Sequence, residues 1–233
     1  RRLSRRGGAA AAGAAAAAGA LAKLGPLAAL ALWSRHAHGR PWTFLAAAGL
    51  LLAVAGAPVL ASVGGIPPGL LTYGVSWEFN GPIYEPLWRL FDAVGADRHA
   101  ARLLDAYKQA TGQWTEWNFL YPYFYPQFFA KVSLGLGMLA VVALSVFERE
   151  PLAGTGKLFG RLLLLSATFY PWYLLWVLPW AALAGHTAWL ALSALVLLSY
   201  LPQLTPLELF PGVFVLIWLP FWLLSSRSRW SIS

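Results

Sequence analysis

The chain contains no cysteine, which removes both a disulfide framework and any thiolate metal site. Charge is the next scarcity. Only 11% of the 233 residues are charged, against about 25% in a soluble domain, and so few cannot cover a globular surface with solvated groups. What fills the chain instead is apolar: 59% hydrophobic residues and a mean hydropathy of +0.59. This is the composition of an integral membrane protein.

Acids are scarcer still, nine against seventeen bases, for a net charge of +8. The bases form islands at Arg1–Arg6, Arg35–Arg40, Arg149–Arg161 and Arg227–Arg229. Apolar stretches of bilayer length separate them, the pattern of the positive-inside rule. A nucleic-acid surface would gather them on one face, so that function is set aside. The chain begins at Arg1 with no signal-like segment, and its basic opening resembles an internal cytoplasmic loop. Further spans are expected upstream.

Taken in order, residues 1–42 hold a weakly apolar Ala/Gly run broken by Lys23, Gly25 and Pro26. Two half-helices meeting near Lys23 to Pro26 keep both basic flanks on one side, so a re-entrant pair is expected. Residues 43–63 read as a transmembrane helix. Residues 64–126 carry six acids against four bases and read as an external loop. Within them, Asp97 as N-cap and Gly112 as stop bracket a helix with Ala100, Leu103, Leu104 and Tyr107 on one face. Arg98, Arg102, Asp105 and Lys108 fall on the other faces, as in a helix lying on a membrane surface. Trp114, Trp117, Phe119, Tyr121, Tyr123, Phe124 and Tyr125 then form an aromatic belt before a second span at 127–147, where Lys131 is placed to snorkel.

Residues 148–233 form a C-terminal helical bundle. Charge parity keeps Arg227 and Arg229 inside only if the chain turns at Tyr170-Pro171-Trp172. That gives Leu158–Phe169 outward, Tyr173–Ala184 inward, Thr187–Leu201 outward and Leu209–Leu224 inward. The expected fold is thus all-α: a polytopic transmembrane bundle with a re-entrant or broken helix and an external amphipathic helix.

Three ordered motifs carry a family resemblance. Phe169-Tyr170-Pro171-Trp172-Tyr173-Leu174-Leu175-Trp176-Val177-Leu178-Pro179 is similar to the His-Pro-Trp-Tyr-Leu-Leu-Trp signature of bacterial GT-C polytopic glycosyltransferases. Ala20-Leu21-Ala22-Lys23-Leu24-Gly25-Pro26 resembles their lysine-containing segment, and Ser76-Trp77-Glu78-Phe79-Asn80-Gly81-Pro82-Ile83-Tyr84 their external Trp-x-Phe-Asn motif. The resemblance covers the chain as the C-terminal portion of such an enzyme, of the polyprenyl-phosphate-sugar-dependent mannosyltransferase type related to PIG-M. It implies an inner (plasma) membrane protein of the bacterial envelope. The reaction implied moves a hexose, mannose foremost, from a polyprenyl-phosphate donor to a glycan or lipid-linked acceptor at the external face. Tyr170 stands where the family has histidine. The resemblance implies a catalytic carboxylate in a first external loop expected upstream of Arg1, so the catalytic base is left unassigned.

Inverting transfer needs a base on the acceptor hydroxyl and positive or hydrogen-bonding groups on the departing phosphate. Lys23 is the candidate for the phosphate, because a cation within an apolar segment requires a partner or water. Trp77, Tyr84, Tyr170, Trp172, Tyr173 and Trp176 are candidates to line a groove for sugar and polyprenyl chain. Asn80 could bind a sugar hydroxyl, and Glu78 and Glu85 could do so or hold a divalent cation.

Simpler roles stand beside these. Trp172, Trp176 and Trp180, four residues apart, serve equally as interfacial anchors, and the acids as solvated loop charges. His36 and His38 sit among lipid headgroups, His99 and His186 are isolated, and no histidine metal site is expected. Arg98, Arg102 and Lys108 could simply meet lipid phosphate. A transporter or lipid-linked saccharide flippase, with its broken helix at Lys23, and a non-catalytic membrane subunit are the rival functions.

Overall fold

A computed structural model describes residues 2–37, 40–65, 67–69, 72, 76–204, 210–228 and 230, with side chains from residue 7 onward. Arg1, His38 and Arg229 lie outside the described residues, as do the side chains of Arg5 and Arg6.

The described chain is helical, and its only extended pairing is an isolated bridge of Phe79 and Asn80 with Thr168. The helices are α1 (Arg2–Ala22), α2 (Gly25–Arg35), α3 (Pro41–Val63), α4 (Tyr84–Ala93), α5 (Ala96–Thr111), α6 (Pro126–Ser145), α7 (Pro151–Leu164), α8 (Leu178–Ala184), α9 (Thr187–Leu204) and α10 (Gly212–Ser225). Tight 3-10 turns cover Asn118–Tyr123, Pro171–Trp176 and, inside α9, Val196–Tyr200.

Three of these, α3, α6 and α9, are long and apolar enough to cross a membrane, with 23, 20 and 18 residues. At about 1.5 Å per residue the shortest reaches roughly 27 Å, close to the hydrocarbon thickness of about 30 Å. Their outer faces bury little: Leu50, Val54, Val59 and Leu60 on α3 and Leu136, Leu139 and Leu144 on α6 are exposed. Such faces suit lipid contact, since a bilayer imposes no cost on apolar exposure.

Alanine is the strongest helix former, and the Ala-rich α1 runs unbroken to Ala22 before the chain turns at Lys23 and Leu24. Pro26 then opens α2, where its missing N–H costs nothing. Ala9, Ala16, Ala37 and Phe44 close a small core where α1, α2 and α3 meet. A second core joins α2 to α7 through Leu32, Leu158 and Phe159, with the Trp33 indole donating to the Thr155 hydroxyl at 2.8 Å. The main core lies among α7, α9 and α10 and the segment between α7 and α8, around Phe169, Leu174, Trp189, Ile217, Trp218 and Phe221.

Several sequence expectations change here. The segment read as an outward helix from Leu158 starts seven residues earlier, at Pro151, and stops at Leu164. The inward segment Tyr173–Ala184 is a 3-10 turn followed by the seven-residue α8. Pro171 and Pro179 lack backbone N–H groups, so no continuous ladder can form across them. At 14 residues each, α7 and α10 reach only about 21 Å.

In the amphipathic α5 the cap is Gly95, and Asp97 lies in the first turn, where a carboxylate favours the helix dipole. Lys108 is not on a solvated face. It is buried beneath residues 118–121, its ammonium donating to Asn118 and to the Tyr121 hydroxyl. Leu103 and Tyr107, meant for the apolar face, remain exposed.

Candidate functional site

Two distant stretches are joined backbone to backbone to form the site. Phe79 N–H donates to Ala167 O at 3.1 Å, and Phe169 N–H donates to Phe79 O at 2.6 Å. The Thr168 hydroxyl donates to Trp77 O at 2.7 Å. Proximity this close selects the residues. A Cβ on Gly81 would stand 2.6 Å from Ser166 O, and Asn80 adopts φ 53°, a conformation open to Asn through its short polar side chain.

That junction lines up the aromatic side chains. Phe79 stacks on Tyr170 with centroids 4.4 Å apart and planes at 13°, and Tyr170 stacks on Trp172 at 4.4 Å and 8°. Trp77 meets the edge of Tyr170 at 6.2 Å, while Tyr173 stands edge-on to both Tyr170 and Trp172 at 6.1 Å. Trp77 and Trp172 are nearly half exposed, at 46% and 47%. The row therefore has open faces at its rim and packed rings at its centre. A flat apolar ring face of that kind receives the C–H face of a sugar or an isoprenoid chain.

Polar groups surround the row. Glu78 pairs with Lys131 of α6 at 2.7 Å, so the lysine read as snorkelling to the interface has a carboxylate partner. Glu85 is engaged within α4, accepting from the Trp88 indole at 3.1 Å and from Arg89. The Arg89 guanidinium also covers the Phe210 ring at 3.7 Å. Tyr84 is fully buried and its hydroxyl makes no hydrogen bond of good geometry among the described residues. Burial first, then the neighbouring Glu78 and Glu85 carboxylates, hold that hydroxyl above its ordinary pKa. It stays protonated and can only donate toward those acids. Asn80 accepts from the Trp218 indole at 3.1 Å through Oδ1, leaving its amide Nδ2 buried without a partner. A buried unpaired donor is costly, and it sits beside the aromatic row.

The structure thus brings together Trp77, Glu78, Asn80, Tyr84, Tyr170, Trp172 and Tyr173. Trp176 extends the row from Tyr173 at 6.5 Å but turns inward onto Phe159 and Gly25. A Cβ on Gly25 would overlap the Trp176 ring, which ties the α1–α2 turn to the row. Lys23, two residues before, is exposed and has no ion-pair partner among the described residues. Trp172, Trp176 and Trp180 do not share a helix face. In a 3-10 turn, residues four apart point about 120° apart, and Trp180 instead packs by Gly156.

Sequence reasoning singled out neither Lys131 nor Phe79 nor Trp218 as a site residue. Phe79 lay inside a quoted motif and could have been found. Lys131 and Trp218 meet their partners across 53 and 138 positions, and no local pattern marks them. Among the described residues no group of three or more His, Asp or Glu is placed to hold a metal. Comparison with family models, curated proteins and solved structures finds no match for this chain.

Proposed function

We propose that the chain belongs to a polytopic membrane glycosyltransferase of the GT-C type, moving a hexose, mannose foremost, from a polyprenyl-phosphate donor to an external acceptor. The observation that carries this reading is the Phe79–Tyr170–Trp172 stack beside the Glu78–Lys131 pair and the unpaired Asn80 amide. The exposed ring faces of Trp77 and Trp172 fit the C–H face of a sugar. A lysine at the edge of the row, with Lys23 near its far end, fits the phosphate that carries it.

In the transfer, the acceptor hydroxyl oxygen forms a bond to the sugar anomeric carbon as the bond from that carbon to the phosphate oxygen breaks. The hydroxyl proton passes to a carboxylate base, which none of the site residues is assigned to be. Polyprenyl phosphate leaves with the extra negative charge, and cations placed there stabilise it most when that charge is largest. The chain is placed with residues 64–126 and Tyr170 outside and Glu148–Arg161 inside a plasma membrane, following its basic islands. The ordered motifs around Lys23, Trp77 and Tyr170 support the family.

The test is transfer of labelled mannose from polyprenyl-phosphate mannose by the full-length protein in proteoliposomes. Trp172→Ala and Tyr170→Ala should each lower transfer about 10- to 100-fold, as loss of substrate positioning does. Wild-type rates in both variants at normal expression contradict the reading. The break at Lys23 and Leu24 favours a second reading, a lipid-linked saccharide transporter. It predicts saccharide flux across the bilayer with no new glycosidic bond.

A further inference from the structure

The opposite end of the bundle holds a cavity that the transfer reading does not use. Its volume is about 280 Å³. Lys157 and Arg161 of α7, His186 before α9, and Ser225 and Ser228 at the close of α10 form its polar wall. Leu164, Trp189 and Phe221 form its apolar floor. The elements meet firmly here, with Thr187 and Ser228 hydroxyls 2.8 Å apart and the Trp230 ring 4.7 Å from His186.

The charge at this wall is not balanced. Glu148 reaches Lys157 at 2.8 Å and Arg161 at 3.6 Å, so one carboxylate answers two cations. The Arg161 side chain is half exposed and its guanidinium retains donors. Arg149, Glu150 and Arg227 flank the same end and are exposed, adding one further net positive charge. His186 is buried, 2% exposed, and its Nδ1 has no partner. A closed structural salt bridge would leave neither a surplus cation nor an orphaned imidazole nitrogen. A space of about 280 Å³ equals the liquid volume of roughly nine waters, enough for a phosphate and part of what it is attached to.

We propose that this cavity binds a phosphate group, with Lys157 and Arg161 on the oxygens and the floor of Leu164, Trp189 and Phe221 against the apolar part of the same molecule. Arginine presents paired donors that match adjacent phosphate oxygens, and lysine adds a point charge. The Ser225 hydroxyl supplies a further donor, and the buried His186 ring closes the wall behind it. The phosphate has two sources: an anionic lipid headgroup, whose chains would lie along the apolar outer faces of the bundle, or a soluble phosphate ester.

The full-length protein, purified in a zwitterionic detergent, separates these by its thermal midpoint and by native mass spectrometry. Short-chain phosphatidylglycerol should bind one molecule saturably and raise the midpoint, while short-chain phosphatidylcholine should not. Glycerol 3-phosphate and inorganic phosphate form the soluble arm, and binding there without lipid binding assigns the site to a soluble ester. Arg161→Gln should weaken binding about 10-fold. Glu148→Gln should strengthen it several-fold by releasing both cations, an effect opposite in sign to any general loss of folding. Equal binding of the two lipids overturns the proposal, as does affinity that neither substitution changes, or the absence of binding in every arm.

Discussion

The two ends of the bundle use charge in opposite ways. Beside the Phe79–Tyr170–Trp172 stack each cation has its own acid, Lys131 with Glu78 and Arg89 with Glu85, and Lys23 stands exposed beyond Trp176. At the basic end Lys157 and Arg161 share Glu148. The first arrangement is close to neutral and leaves ring faces and one amide as its unspent groups. The second leaves positive charge over an apolar floor. The contrast teaches that a basic island between apolar helices can line a built cavity. It also separates an aromatic surface whose nearby charges are paired one to one from a cavity with surplus positive charge.

The sharpest way to break the contrast is to open the junction that builds the aromatic end. Gly81→Val drives a side chain into the Ser166 carbonyl, and neither backbone can yield cheaply. A loss of about 3 kcal/mol is expected, measured by thermal unfolding in detergent, with transfer falling alongside. Gly212→Ala, where a Cβ meets nothing within 4 Å, should stay within about 0.5 kcal/mol. Next in size is Trp218→Phe, which removes the indole donor from Asn80 and leaves that side chain wholly unpaired. Its cost should be about 2 kcal/mol, and the double variant with Asn80→Ala should recover part of it.

A smaller effect sharpens the comparison through pH. The folded state raises the Tyr84 pKa above the ordinary 10.0, so folding binds that proton more tightly than the unfolded chain does. The resulting stability is complete below about pH 10 and is lost as pH rises past that value. Tyr84→Phe should flatten the alkaline fall of the unfolding midpoint while leaving neutral pH less affected. Smallest of all in stability is Lys131→Gln. Glu78 is a third exposed on its side chain, so less than about 1 kcal/mol is expected. Transfer should nonetheless fall about 10-fold. A variant equal to wild type in transfer would remove Lys131 from the site.

The parts legible in the sequence were those written in local pattern. Unbroken apolar runs mark α3 and α6 to within two residues at each end, because hydropathy alone decides them. Lys23, Gly25 and Pro26 mark the break between α1 and α2 for reasons of backbone chemistry. The stretch from Tyr170 to Trp180 announced a turn through its prolines. Its 3-10 geometry was not visible, so three tryptophans that look aligned are in fact dispersed. Burial of Lys108 depended on a loop ten to thirteen residues away folding over it, and amphipathic spacing placed it outside. The site was legible as a list of candidates around Trp77 and Tyr170, the polar Glu78 and Asn80 among them. The partners of those two, Lys131 and Trp218, come from other helices by packing that no spacing encodes.

The most direct test places a photoactivatable group on the sugar of a polyprenyl-phosphate donor and maps its crosslinks on the full-length protein in proteoliposomes. Label within residues 76–84 and 168–176, competed by unmodified donor and lost in Trp172→Ala, is the predicted result. Label confined to the basic end around Lys157 and Arg161, or competed by no donor, would contradict the assignment of the aromatic row to the sugar.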